Sequence, residues 1–197
     1  METKLVVPGE KLFDVPKRGK NFYEEDGKTY SAAVGLFDGM KVVSLKGGYE
    51  PELGDVVIGI VTYVRFNGYD VNVNLPYDSF LLGKETKTEL VPGSIISARI
   101  KEVDEVKNVD LADGRDLRGG KIIEASPVKV PRIIGKKMSM LNLIREKTQC
   151  DILVGKNGRV WVKGKNTPMV VKAINKIEKE AHTHGLTERI SELLSST

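Results

Sequence analysis

Residues 130–138 read Val-Pro-Arg-Ile-Ile-Gly-Lys-Lys-Met, a short apolar run that ends in a glycine and two lysines. Ser139 follows as a candidate N-cap for a helix through Leu141, Ile144 and Thr148. A glycine turn at the start of a helix lets a phosphate group approach backbone N–H groups, and neighbouring lysines add positive charge. The stretch therefore predicts anion contacts by Arg132, Gly135, Lys136 and Lys137. The alternative is a solvated helix start with two free lysines.

The segments around this turn follow a defined order. A strand over 122–130 is predicted to end at Pro131, and a short helix or turn then lies at 132–134. After the helix from Ser139 come two β runs, at 151–154 and 159–162. Another helix begins at Thr167-Pro168 and places Val170, Ile174 and Ile177 on one face. The order over 119–185 is thus β-α-α-β-β-α.

The two β runs are joined by Gly155-Lys156-Asn157-Gly158, an Asn-Gly hairpin signal. A hairpin offers no helix N-terminus, so a structural turn is favoured over a second phosphate loop. We expect Gly155, Asn157 and Gly158 to supply positive φ angles and the turn to pack against the preceding domain.

Residues 54–118 contain five short predicted strands with glycines at their bends. In one of them apolar residues alternate with Asp70, Asn72 and Asn74, the period of two that is typical of a half-buried strand. Five strands in about 65 residues indicate a small closed barrel of the OB kind. Gly59, inside the first strand, is where such a barrel can coil sharply. The predicted strands lie at 56–66, 69–75, 80–82, 96–101 and 109–111.

The two ends of the chain are simpler. Residues 1–53 read as a small β domain in which Asp26-Gly27 precedes a strand at 28–37 and Asp38-Gly39 closes a hairpin. A domain of that size is expected to pack on a neighbour. Residues 186–197 form a tail with a possible short helix through Ile190 and Leu193.

The positive charge is concentrated in one part of the chain. The net charge is +4 overall, but residues 119–185 carry +9, whereas 1–53, 54–118 and 186–197 carry −1, −3 and −1. Such a concentration favours a polyanionic partner, nucleic acid before membrane, with a well-solvated surface as the alternative.

The remaining composition predicts a cytoplasmic protein without cofactor or metal. The longest apolar stretch is about six residues, against roughly 20 for a membrane-spanning helix. No secretory signal is visible, and the single cysteine, Cys150, is read as a small buried residue. His182 and His184 are two residues apart and make a poor metal site, and no catalytic arrangement is seen. Surface solubility explains the remaining acidic candidates better than Mg²⁺ binding: Asp104, Glu105, Asp110 and Asp113.

Over almost its whole length the chain resembles a known family, the archaeal exosome RNA-binding cap subunit. The Gly-x-Asn-Gly turn is the most distinctive mark of the resemblance. The other matching stretches are Val6-Val7-Pro8-Gly9, Gly54-Asp55-Val56-Val57-Ile58-Gly59 with the barrel after it, residues 130–137, Cys150-Asp151-Ile152, Arg159-Val160-Trp161-Val162 and Ala173-Ile174.

The resemblance implies a mainly β protein with a C-terminal α/β module. Its parts would be an N-terminal β domain that docks on a ring (1–53), an S-one-type OB barrel (54–118), a type I KH domain (119–185) and a tail (186–197). It also implies a non-catalytic, RNA-binding role. Three copies would cap a hexameric ring of RNase-PH-like subunits, which degrades RNA from its 3′ end with phosphate.

Two residues depart from the family pattern. Met138 occupies the place of the second glycine of the KH clamp, Gly-x-x-Gly. Asp70 stands where related barrels often present an exposed aromatic. We therefore expect the barrel to contact RNA mainly by charge, with Tyr63 and Phe66 as platforms or core residues. The predicted barrel contacts are Arg65, Phe66, Arg99 and Lys101.

Two other functions remain open from the sequence. A free-standing RNA-binding regulator, such as a transcription elongation factor, shares the order of a barrel followed by a KH domain. A nuclease that acts alone would need residues that the sequence does not reveal.

Overall fold

The computed structural model describes residues 4–19, 21–44, 47–181, 183 and 185–195. The chain divides into two compact units, residues 1–48 and 49–197. Within the described residues, no helix combines the length and the apolar character needed to cross a bilayer.

The N-terminal unit contains two three-stranded antiparallel sheets, with the strand orders β1-β5-β6 and β2-β4-β3. The predicted turn at Asp26-Gly27 joins β3 to β4, and both residues have the positive φ of a primed hairpin turn. The hairpin at Asp38-Gly39 joins β5 to β6, as predicted. The strands are β1 (Lys4–Val6), β2 (Lys11–Phe13), β3 (Phe22–Glu25), β4 (Lys28–Ser31), β5 (Gly35–Phe37) and β6 (Val42–Ser44).

The prediction of one continuous strand over 28–37 is wrong, because the strand ends at Ser31 and another begins at Gly35. The hydroxyl of Ser31 donates a hydrogen bond to the carbonyl oxygen of Ala33, at 2.7 Å, and turns the backbone locally. As a result β4 and β5 belong to different sheets.

Residues 56–116 form the predicted five-stranded closed barrel, in the order β10-β11-β9-β8-β7. Its interior is filled by alternating apolar side chains such as Val57, Val71 and Leu111. Gly59 is required at its position, since a Cβ there would lie 2.3 Å from a methyl group of Val71. The strands are β7 (Val56–Arg65), β8 (Gly68–Asn72), β9 (Ser79–Leu82), β10 (Ile95–Val103) and β11 (Val109–Asp116).

The C-terminal region has the predicted β-α-α-β-β-α order and one further helix. Its antiparallel sheet has the strand order β12-β14-β13, and the helices share with it a core built around Ile144, Val160 and Ile174. The elements are β12 (Lys121–Glu124), α1 (Val130–Ile134), α2 (Ser139–Thr148), β13 (Asp151–Val154), β14 (Arg159–Lys163), α3 (Thr167–Glu180) and α4 (Leu186–Ser195).

Several boundaries in this region differ from the prediction. The first strand ends at Glu124 rather than Val130, and Pro131 lies in the first turn of α1, where the missing N–H of proline costs nothing. Ser139 is the first residue of α2 rather than its N-cap, and Met138 holds the N-cap position. Thr167 is likewise the first residue of α3, and Asn166 holds its N-cap position.

Helix α4 is part of the C-terminal core. Leu186, Ile190 and Leu194 are buried in the same cluster as α2 and α3. The Nε of Arg189 on α4 also donates to the carboxylate of Glu180 on α3, at 2.7 Å. The helix anticipated through Ile190 is therefore present, and it packs against the module instead of extending from it.

Candidate nucleic-acid interface

The turn between α1 and α2 is built on Gly135. Its φ is +74°, and a Cβ at this position would lie 2.7 Å from the backbone nitrogen of Met140. No side chain fits there, so the two helices can approach closely only with glycine. The side chains of Lys136 and Lys137 follow at once and are exposed, as is that of Arg132 on α1.

Met138 keeps the backbone path that a glycine would take. Lys137 and Met138 both have positive φ, at 52° and 64°, which is the left-handed region that glycine favours. The side chain of Met138 is 44% exposed. The turn thus has, at the fourth position of the Gly-x-x-Gly pattern, a backbone conformation that glycine favours, and it adds an apolar side chain there.

The cations of this turn are free to meet a ligand. Within the described ranges, Arg132, Lys136 and Lys137 form no ion pair. Their full charge therefore faces solvent, where a phosphate backbone can exchange for counterions.

The predicted cations of the barrel are placed differently, because each one lies against a carboxylate. The Nε of Arg65 donates to both carboxylate oxygens of Asp70, at 2.8 and 2.9 Å. The guanidinium also lies 6.0 Å from the ring centre of Phe80.

The two cations on β10 are paired as well. Arg99 pairs with Asp113 on β11, and the ammonium group of Lys101 lies 3.0 Å from the carboxylate of Glu85. Exposed pairs of this kind contribute about 0–1 kcal/mol each, so a phosphate can compete with them. They nevertheless lower the positive potential that the barrel offers to RNA.

The aromatic side chains around the β7–β8 hairpin lie at the surface. Phe66, at the tip of the hairpin, is fully exposed, and Tyr63 is 63% exposed. In the strand register, Tyr63 of β7 lies opposite Asp70 of β8, and Asp70 lies opposite Phe80 of β9. These three residues therefore form one row across the three strands. We call Tyr63 and Phe80 of this row, together with Phe66 at the hairpin tip, the aromatic row. Every base has a face that can stack on such side chains.

Sequence reasoning missed Phe80 and left Tyr63 open. Phe80-Leu81-Leu82 is apolar throughout, so alternation alone does not reveal which side chain points outward. Leu81 is fully buried in the barrel, whereas Phe80 is half-buried. The signal that identifies Phe80 is its pairing with the polar Asp70, which requires the register.

The Gly155–Gly158 turn joins the C-terminal module to the barrel, as predicted. Asn157 is fully buried, and its amide nitrogen donates to the carbonyl oxygens of Ile58 and Val73, each at 2.8 Å. Its amide oxygen accepts from the N–H of Ile58, at 3.2 Å. Because β8 pairs with β7 only from Ile60 onward, the Asn157 side chain satisfies a backbone edge that no strand covers.

The positive φ angles predicted for this turn are right only at Gly158, where φ is +83°. Gly155 and Asn157 have no positive φ. Gly155 is needed for space instead, since a Cβ there would lie 2.9 Å from the nitrogen of Ile58. Glycine is therefore placed in this turn by the close approach of the barrel as well as by backbone conformation.

Arg159 adds a second contact across the same junction, one that the sequence did not single out. Its guanidinium donates to the backbone carbonyl and to the side-chain oxygen of Asn72, at 2.5 and 2.8 Å. Burial lowers the pKa of Arg159 below its usual value, with Glu124 acting in the opposite direction. The only sequence signal is an arginine directly before the apolar run Val160-Trp161-Val162.

The described part of the chain contains no group of three or more His, Cys, Asp or Glu that could hold a metal ion. The carboxylate of Asp104 accepts hydrogen bonds from Asn108. Cys150 is buried in the C-terminal core, in line with the prediction. His182 and His184 lie outside the described residues.

Comparison with known proteins gives consistent matches. The KH domain family model matches residues 120–168. The exosome complex component Rrp4 of Pyrococcus abyssi is 39% identical, over 98% of this chain and 83% of its own length. Rrp4 of Methanobrevibacter smithii is 44% identical, over 97% and 70%. A crystal structure described as an exosome complex RNA-binding protein covers 76% of this chain and 97% of its own, with 34% identity and a TM-score of 0.69.

Proposed function

The chain belongs to the Rrp4 family of exosome complex components, RNA-binding subunits of that complex, and we propose that it guides single-stranded RNA 3′ ends into a degrading ring. The observation that carries the proposal is that Arg132, Lys136 and Lys137, at the glycine turn of the region matched by the KH model, form no ion pair among the described residues. These cations attract the RNA backbone whatever its sequence. The role of this chain is to bind RNA, not to break its bonds.

The barrel would contribute a second kind of contact. The aromatic row offers faces on which bases can stack, worth about 1–3 kcal/mol per base. Arg65, Arg99 and Lys101 would add phosphate contacts only where RNA displaces their carboxylate partners. Moderate contacts of both kinds suit a guide, since RNA must be held and still advance.

The assembly that we propose follows the family. Residues 1–53 would dock on RNase-PH-like ring subunits, residues 54–118 would form the RNA-binding barrel, 119–185 the KH domain and 186–197 its C-terminal tail. Three copies would surround the opening of the ring, with degradation by phosphate inside it. Repetition by symmetry raises the effective affinity of weak contacts without tight binding at any one of them.

The junction supports this role. Asn157 and Arg159 connect the KH module to the barrel through hydrogen bonds to Ile58, Val73 and Asn72. A buried, fully bonded amide fixes one geometry, because any shift leaves polar groups without partners. Charge contacts and stacking contacts would then be held at a constant spacing along the RNA.

The RNA-binding test replaces both lysines of the turn, as Lys136→Glu with Lys137→Glu. Affinity for an oligouridylate should fall at least tenfold, and the slope of log K against log salt should decrease by roughly 1.4, the value for two lost phosphate contacts on a single strand. Lys28→Glu with Lys41→Glu, two exposed lysines of the N-terminal unit, is the matched control. An unchanged slope in the turn variant would remove this turn from the interface.

The assembly test is gel filtration of the chain with and without ring subunits. Co-elution with the ring supports the cap, whereas RNA binding by a chain that ignores the ring would favour the free-standing regulator. Incubation with labelled RNA, Mg²⁺ and phosphate checks the absence of catalysis, since turnover by the rigorously purified chain alone would contradict a guiding role.

A further inference from the structure

The outer face of α3 carries a second cluster of positive charge. Lys172, Lys176 and Lys179 occupy positions i, i+4 and i+7, so they share one face of the helix, the α3 lysine face. At 1.5 Å rise per residue they span about 10 Å along the axis. The core-facing residues of α3, such as Ile174 and Ile177, lie on the opposite side.

These lysines line a groove together with Asn175 and Glu180 of α3 and Leu193 of α4. Lys172 and Lys179 are exposed, and Lys176 is half-buried within the groove. The groove therefore combines a line of ammonium groups with an amide, one carboxylate and an apolar side chain.

The acidic residues of α3 are engaged elsewhere. The carboxylate of Glu180 accepts a hydrogen bond from Arg189, at 2.7 Å, and that of Glu178 accepts from the backbone N–H of Ser126, at 2.6 Å. Among the residues that the structure describes, none of the three lysines forms an ion pair. Like charges four residues apart destabilise a helix, and the neighbouring carboxylate of Glu180 is already engaged by Arg189.

We propose that the α3 lysine face binds a second stretch of single-stranded RNA, separate from the Gly135 turn. The inference rests on the proposed function, since it extends the RNA contact of the same chain. Three charges in a regular line match a polymer with one charge per unit. Asn175 can hydrogen-bond a base edge, and Leu193 gives a base an apolar surface, which favours RNA over an acidic protein segment.

The binding test uses Lys172→Gln with Lys176→Gln and Lys179→Gln, because glutamine keeps the helix propensity of lysine and removes the charge. Affinity for an oligouridylate should fall about tenfold, and the salt slope should decrease by roughly 2, the value for three lost phosphate contacts. Lys136→Gln with Lys137→Gln forms a second arm, and Lys28→Gln with Lys41→Gln is the control. Melting temperature checks the fold, and Lys172→Gln with Lys179→Gln, both exposed, replaces the triple variant if that unfolds.

The arms separate the two proposals. If the α3 variant matches wild type while the turn variant loses RNA, the α3 proposal is overturned and the proposed function stands. If both variants bind RNA like wild type, both fail. A polyglutamate competitor completes the design: displacement of RNA from α3 by polyglutamate at an equal concentration of charge would identify a site for acidic protein instead, and failure to compete supports RNA.

Discussion

The barrel and the KH module display the same types of cation in opposite surroundings. Arg65, Arg99 and Lys101 on the barrel each face a carboxylate within ion-pair distance. Lys136 and Lys137 at the KH turn face none among the described residues. The segment 54–118 carries a net charge of −3 and the segment 119–185 carries +9.

A cation in the sequence is therefore not yet a phosphate contact. What a lysine or arginine offers to RNA depends on which carboxylates the fold brings beside it. We infer that the barrel holds RNA mainly by stacking on its aromatic row, while the KH module holds it mainly by charge. RNA binding by the two modules should therefore respond differently to salt.

Asn157→Ala breaks the junction and should have the strongest effect of the three changes considered next. The change leaves the carbonyls of Ile58 and Val73 buried without their donor, at a cost of about 3 kcal/mol, or roughly 6–12 °C in melting temperature. Thermal denaturation measures this. Lys156→Ala, an exposed neighbour in the same turn, should shift melting by less than about 2 °C. Equal shifts in both variants would show that Asn157 does not hold the modules together.

Removal of the exposed ring with Phe66→Ala tests the stacking half of the comparison. Loss of one stacked base should weaken RNA binding by about 1–3 kcal/mol, or roughly five- to 150-fold, with the salt slope unchanged. Fluorescence anisotropy at several salt concentrations separates the two quantities, and Phe66→Tyr should bind like wild type. A smaller salt slope in Phe66→Ala would mean that the tip of the hairpin acts through neighbouring charge and that the division between modules is wrong.

A weaker effect is expected from a change that makes the barrel more like the KH module. Asp70→Asn releases Arg65 from its carboxylate, so RNA affinity should rise about threefold and the salt slope should steepen by roughly 0.7, one added phosphate contact. Asp78→Asn is the control, because it changes the net charge equally at an exposed barrel residue that forms no described ion pair. Equal gains in the two variants would assign the effect to overall charge.

Much of the fold followed from local patterns. Alternation through residues 69–75 and glycines at bends predicted the closed barrel, and the order of elements after residue 119 predicted the KH arrangement. Pro131 led to a wrong strand end, because proline suits both the end of a strand and the first turn of a helix. The break after Ser31 was missed because it depends on one side-chain hydrogen bond.

The site was less predictable, since its decisive contacts are distant in sequence. Arg99 and Asp113 are 14 residues apart, and only the pairing of β10 with β11 brings them together. Asn157 carries a turn signal that is satisfied locally, but its hydrogen bonds reach residues 99 and 84 positions away. No periodicity encodes such a partner.

The separation of 99 residues between Asn157 and Ile58 has a consequence during synthesis. At about 5–20 residues per second, roughly 5–20 s pass between the emergence of Ile58 and that of Asn157. Once Asp116 has completed the barrel strands, the nascent barrel presents an open strand edge at Ile58 for the last 41 residues of that interval, roughly 2–8 s, and such an edge can recruit another chain. A ribosome that stalls in this window would leave that edge exposed for longer, until Asn157 emerges and bonds to Ile58.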